Sequence, residues 1–200
     1  MNYVYLLCLM VFAYLYGSIP FALVIGKVFY GVDVREHGSG NLGGTNTGRV
    51  LGYKAGLACI ILDILKCCIS VSIARLLIDY LPANSIYYVA ISCVLGHCFP
   101  IFANFKGGKA VSVLFGYLLG TNFLMFAIVG LFFLGMLKIT KYVSLSSMCA
   151  SVLMVILTPF IIGNPVALVI NIFLSAFLIY RHRANIKRLM DHTESKIKWM

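Results

Sequence analysis

Charge is scarce in this chain of 200 residues: only 11% of the side chains are Asp, Glu, Lys or Arg, and just six are acidic. A water-soluble domain runs at about a quarter charged and about half apolar. With 62% hydrophobic residues and a mean hydropathy of +0.98, this chain falls outside that class. Too few carboxylates are present to form an Asp-rich cluster for Mg²⁺, which argues against a metal-dependent phosphotransferase. No His-x-x-x-x-Asp occurs, because Leu42, Phe102, Lys187 and Ile197 stand five positions after the four histidines. The His–Asp dyad of soluble-headed glycerolipid acyltransferases is therefore missing. The seven cysteines are odd in number and lack Cys-x-x-Cys spacing, so neither a disulfide framework nor a zinc site is expected. Residues 1–26 contain no charged side chain and no small-residue cleavage site after a charged region, and read as an anchor rather than a signal peptide. Internal repeats and low-complexity tracts are also absent.

What remains is a series of apolar runs of membrane-spanning length. The expected class is all-α, polytopic and integral to the membrane, with residues 1–200 forming one domain. Spans are expected at about Tyr3–Gly26, Lys54–Ile78, Ile86–Phe102, Val143–Ile162 and Val166–Tyr180, with a glycine-rich loop from Gly31 to Tyr53. The apolar stretch 110–137 is broken at Gly120-Thr121-Asn122. Fourteen of the sixteen Lys and Arg residues fall in four groups between or after these runs: 27–54, 106–109, 138–141 and 181–198. Cations stay on the cytoplasmic side, and all four groups share that side only if 110–137 makes two short helices. The expected topology is seven transmembrane helices, one or two of them short, with the amino terminus outside and the carboxyl terminus cytoplasmic. Ala110–Gly120 is the short case, because about 11 residues rise only about 17 Å, so it either spans with local thinning of the bilayer or is re-entrant. The net charge of +10 lies in these loops, not on a soluble face, so lipid and phosphate are the expected partners rather than nucleic acid.

The densest chemical signal is the run Gly38-Ser39-Gly40-Asn41-Leu42-Gly43-Gly44-Thr45-Asn46-Thr47-Gly48-Arg49. Glycines allow successive backbone N–H groups to converge on an anion. Ser39, Thr45 and Asn46 add neutral donors, and Arg49 offers a bidentate fork for phosphate. The same composition also suits a flexible surface loop. A second run, Phe105-Lys106-Gly107-Gly108-Lys109, places two glycines and a lysine at a helix start, where exposed amides and the helix dipole favour anions. It is not a Walker A loop, since Ala103 occupies the position of the first glycine.

Asp63 and Lys66 stand at i, i+3 within a span and are expected to form an internal ion pair. His97 reads as a structural hydrogen-bonding residue, and Cys98 as packing rather than a nucleophile. The tail opens with Arg181-His182-Arg183-Ala184-Asn185, either a basic membrane-surface helix or a segment whose His182 and Asn185 reach back to the loops.

Taken together, these motifs resemble the bacterial acyl-phosphate:glycerol-3-phosphate acyltransferases, the PlsY family. The resemblance is carried by Gly17-Ser18-Ile19-Pro20, the Gly38–Arg49 run, Asp63-x-x-Lys66, Gly96-His97-x-Phe99-Pro100 with Phe105–Lys109, Tyr142-Val143-Ser144-Leu145, and Tyr180-Arg181-His182-Arg183-x-Asn185-Ile186. It covers roughly residues 13–197 in one register. It implies a seven-helix enzyme of the bacterial cytoplasmic (inner) membrane with its site facing the cytoplasm. Such an enzyme moves a fatty acyl group from acyl phosphate to the 1-hydroxyl of glycerol 3-phosphate, giving lysophosphatidic acid and phosphate, without cofactor or metal. By match to the family's motifs, Ser39, Arg49, Lys109, His182 and Asn185 are the expected catalytic residues. Gly38, Gly40, Asn41, Gly43, Thr45, Asn46, Gly107, Gly108 and Ser147 are expected to bind substrate. A monomer in the lipid bilayer, functionally linked to an acyl-phosphate-producing enzyme, is implied. Gly44 stands where the family commonly has alanine, and Cys67 where it commonly has glycine. The rival expectation is a small transporter of organic phosphates that uses the same loops.

Overall fold

The computed structural model describes residues 2–197, and among these every regular element is helical. Lys198, one of the tail cations counted above, lies outside the described residues with Met1, Trp199 and Met200. The α-helices in order are α1 (Tyr3–Gly17), α2 (Phe21–Tyr30), α3 (Gly44–Leu51), α4 (Tyr53–Leu76) and α5 (Ser85–Cys98), then α6 (Val111–Thr121), α7 (Phe123–Thr140), α8 (Val143–Ile161), α9 (Pro165–Arg181) and α10 (Arg183–Met190).

Four segments are long and apolar enough to cross a membrane: α4, α7, α8, and α5 with its following turn to Ala103. The number rises to six if the bent pairs α1–α2 and α9–α10 each count as one span, and α6 is shorter. Large apolar side chains such as Leu131, Ile139 and Phe160 are exposed, as contact with lipid requires.

The first expected span is not continuous. It breaks at Ser18-Ile19-Pro20 with a bend of 40°, because proline lacks the N–H that would carry the ladder on. Its second half runs on to Tyr30 and stops at Gly31, whose φ of 64° is the left-handed cap that glycine adopts without strain. The break in 110–137 falls where expected, and the Asn122 side chain caps α7 by accepting from the Met125 amide at 2.9 Å. Pro165 opens α9 behind an Asn164 cap.

The chain divides into two compact units, Met1–Thr121 and Asn122–Met200. In the first, helices touch backbone to backbone through glycine. A Cβ on Gly17 would overlap the Cys93 carbonyl of α5, and one on Gly116 would overlap the Ile64 carbonyl of α4. Apolar helices gain no hydrophobic drive against one another in lipid, so close approach through small residues supplies the contact. The second unit uses hydroxyls and amides instead. Asn171 of α9 donates to Thr158 of α8 at 2.8 Å, and Ser175 donates to Ser151 at 2.9 Å.

Candidate functional site

The first glycine run is not a flexible loop. Half of it is α3, an eight-residue helix docked on α4. A Cβ on Gly56 would lie 2.6 Å from the Gly48 Cα and 2.8 Å from the Gly44 carbonyl, so glycines on both helices let the backbones meet. Ahead of α3, Gly38 and Gly40 have φ of 61° and 67°, a region that residues with a Cβ enter only at a cost. Asn46 is buried and organises this turn. Its Nδ2 donates to the Val34 carbonyl at 3.0 Å and the His37 carbonyl at 3.2 Å, and its Oδ1 accepts from the Ser39 amide at 2.8 Å. The expectation that Asn46 offers donors to a ligand is thus corrected: both of its N–H groups are spent on loop carbonyls.

Ser39 and Arg49 are exposed, and Arg49 has no ion-pair partner among the described residues. The neighbouring cations differ. Asp33 binds Arg35 at 2.6 Å and Lys27 at 3.2 Å. The hydrogen bonds from Arg35 hold the Asp33 carboxyl well below the usual carboxylate range, against the opposing effect of burial. Asp33 is thereby committed to Arg35 and Lys27.

The second run lies between the end of α5 and the start of α6. Here too the expectation is corrected. Rather than exposing their amides, Gly107 donates to the Cys98 carbonyl at 3.2 Å and Gly108 to the His97 carbonyl at 3.1 Å. The two glycines are required for space: a Cβ on Gly108 would overlap the His97 ring, and one on Gly107 the His97 carbonyl. Non-glycine residues with left-handed backbone bracket this segment, Phe105 with φ of 57° and Ala110 with φ of 70°. Such conformations persist only where surrounding structure imposes them. Lys109 is half-buried directly ahead of α6, whose N-terminus carries the positive end of the helix dipole. The two runs adjoin: Asn41 Nδ2 donates to the Gly107 carbonyl at 3.4 Å.

In the second unit one expected residue, Asn185, meets a carboxylate that sequence reasoning passed over. After α10 the chain turns back, and the Ile197 amide donates to the Lys141 carbonyl at 2.9 Å. This return places Glu194 among Ser144, Asn185 and Arg188. Asn185 Nδ2 donates to Glu194 Oε1 at 2.6 Å, Ser144 Oγ to the same oxygen at 2.7 Å, and Arg188 Nε to Oε2 at 2.6 Å. Burial pushes the Glu194 carboxyl up, but the bonds from Asn185, Ser144 and Arg188 outweigh it and hold the group below its ordinary value. The available signal was a carboxylate, one of two with Asp191, in a cation-rich tail. Ser147, buried one turn from Ser144 on α8, donates to the Val143 carbonyl. His182 is buried at the α9–α10 bend. Its Nδ1 donates to the Leu178 carbonyl at 2.9 Å.

Comparison with known proteins is consistent with these features. The family model described as "Glycerol-3-phosphate acyltransferase" matches residues 7–192. A glycerol-3-phosphate acyltransferase of Geobacillus kaustophilus (strain HTA426) is 47% identical over 191 residues, which covers 96% of this chain and 95% of the relative. Glycerol-3-phosphate acyltransferase 2 of Bacillus cereus (strain ATCC 10987 / NRS 248) is 48% identical, covering 94% and 93%. Among solved structures, PlsY (YgiH), an integral membrane glycerol 3-phosphate acyltransferase in its glycerol 3-phosphate form, superposes with a TM-score of 0.89 at 39% identity, covering 96% of both chains. Its lysophosphatidic acid form gives 0.87 at 38% identity, covering 96% of this chain and 95% of the other.

Proposed function

The chain belongs to the glycerol-3-phosphate acyltransferase family of integral membrane proteins, and from that premise we propose that its acyl donor is acyl phosphate and its product lysophosphatidic acid. The observation that carries this reading is the junction of the two glycine runs through Asn41 and Gly107, with Arg49 exposed and Lys109 at the head of α6. Such a wall suits phosphate, whose charge a guanidinium and an ammonium neutralise while Gly38, Gly40 and Gly43 let the backbone come close and Thr45 and Asn41 add neutral polar groups.

In the reaction, the 1-hydroxyl oxygen of glycerol 3-phosphate attacks the acyl carbonyl carbon. The bond from that carbon to the phosphate oxygen breaks, and phosphate leaves with the electron pair. Acyl phosphate is already activated, so positioning and charge stabilisation account for the catalysis. We assign Ser39, Arg49 and Lys109 to the phosphates, and Ser147, His182 and Asn185 to positioning of the reactants. The donor's phosphate oxygen takes the hydroxyl proton. A His182→Gln variant that loses turnover together with one limb of its pH profile would transfer that role to His182.

This reading takes residues 1–200 as one functional domain and a monomer. It has seven spans with α6 as the short one, the amino terminus outside, and the site on the cytoplasmic face of the bacterial inner membrane. An enzyme that makes acyl phosphate supplies the donor. Purified protein incubated with acyl phosphate and glycerol 3-phosphate should release phosphate and form lysophosphatidic acid, and Arg49→Ala and Lys109→Ala should abolish both. Counterflow of organic phosphate in vesicles without product would instead make the protein a carrier. For the topology, cysteines introduced at Asn41 and Asn185, with the native cysteines replaced, should both label from the cytoplasmic side.

A further inference from the structure

Three ionisable side chains lie in the apolar interior of the first unit, outside the residues assigned above. Lys66 Nζ is 2.7 Å from Asp63 Oδ1, and His97 Nδ1 is 3.5 Å from the same oxygen; none of the three side chains is more than 5% exposed. Lys66 also donates to the Ile19 carbonyl at 3.1 Å, in the break between α1 and α2, and stands 5.4 Å from the centre of the Phe21 ring. An ion pair within a span is expensive, and well-packed apolar residues of similar volume are often at least as stable. Stability alone therefore does not account for it.

The neighbours of His97 suggest its use. One side of the residue meets Asp63. Its carbonyl accepts the Gly108 amide, the Cys98 carbonyl accepts the Gly107 amide, and the Gly108 Cα lies against the ring. The path of Gly107-Gly108-Lys109 is thus laid over one imidazole, whose orientation is held from below by a carboxylate that is itself held by Lys66.

We propose that Asp63, Lys66 and His97 are positioning residues that set the shape of the Gly107–Lys109 segment, and through it the affinity for the phosphate of glycerol 3-phosphate. The inference rests on the reading of that segment as a phosphate site. Unlike a purely structural role, which would lower the amount of active enzyme and hence maximal velocity, a positioning role raises KM for one substrate.

The test is the double variant Asp63→Asn/Lys66→Met, which removes both charges at nearly constant volume. Purified in detergent, it should unfold near the wild-type temperature. Its KM for glycerol 3-phosphate should rise about tenfold, with kcat at saturation and KM for acyl phosphate changed less than about threefold. An unchanged KM for glycerol 3-phosphate in the folded double variant overturns the proposal. Should that variant not accumulate, His97→Asn, which keeps a donor near Nδ1 but removes the ring edge beside Gly108, is read by the same criterion. Wild-type enzyme and Lys109→Ala are measured alongside. If Lys109→Ala leaves glycerol 3-phosphate kinetics unchanged, the phosphate-site reading itself fails. If Lys109→Ala acts as stated and the double variant behaves as wild type, only the positioning role fails.

Discussion

Asp63 and Glu194 are both carboxylates at the centre of a polar cluster, and they differ in how far water reaches them. The Asp63 side chain is 2% exposed and its lysine 1%, whereas Glu194 is 6% exposed beside an arginine at 38%. Asp63 is matched by a lysine and a histidine, while Glu194 has one cation and two neutral donors, Asn185 and Ser144. Where the surroundings are apolar, charge must be balanced by charge, and removing one partner strands the other. At the edge of the protein, water completes the solvation, so neutral donors suffice and each partner matters less.

The largest effect should come from Lys66→Met alone, which leaves the Asp63 charge buried with His97 and the weakly donating Cys59 thiol beside it. A loss of about 3–5 kcal/mol is expected, read from unfolding in detergent, and adding Asp63→Asn should recover most of it. A purely steric lesion gives a scale for comparison. A Cβ on Gly44 would overlap Ile60 and lie 2.9 Å from the Gly56 carbonyl. Gly44→Ala should therefore cost about 1–3 kcal/mol, and Ile60→Ala in the same chain should relieve it. In this protein Ile60 occupies the space that an alanine at position 44 would need.

Glu194→Gln should cost about 1–2 kcal/mol, and its signature lies in pH. The carboxyl is held below its ordinary 4.5, so its contribution is complete above about that pH and fades as pH falls through the lower folded value. The glutamine variant should lack that acid limb in its unfolding profile. Arg188→Gln, removing the exposed half of the pair, should change stability by no more than about 1 kcal/mol. If Glu194→Gln proved more damaging than Lys66→Met, the contrast between the two clusters would fail.

Much of the architecture was legible because lipid demands it. Long apolar runs, the break at Asn122, the Asn164-Pro165 helix start and the grouping of cations are each written in composition or local spacing. The ion pair of Asp63 and Lys66 was legible too, because i, i+3 places both on one face of a helix. The helix α3 was not, since a segment with glycines at both 44 and 48 has poor intrinsic helix propensity. Docking on Gly56 of α4 overrides that preference. The roles of Asn46, Gly107 and Gly108 were similarly hidden: residue type advertises donors, but only the fold shows which carbonyls already use them.

By itself the sequence determined that this is a polytopic helical membrane protein with two glycine-rich, cation-bearing runs, because burial in lipid and backbone freedom are properties of short stretches of chain. Tertiary structure alone decided that Asn41 reaches Gly107, that Gly108 rests on His97, and that Glu194 returns to Asn185. One of these pairings joins residues 66 positions apart, another closes the connection between α5 and α6, and the third depends on a reversal of the chain after α10. No local preference encodes such distances. They follow from which helices can approach closely and which buried polar groups must find partners.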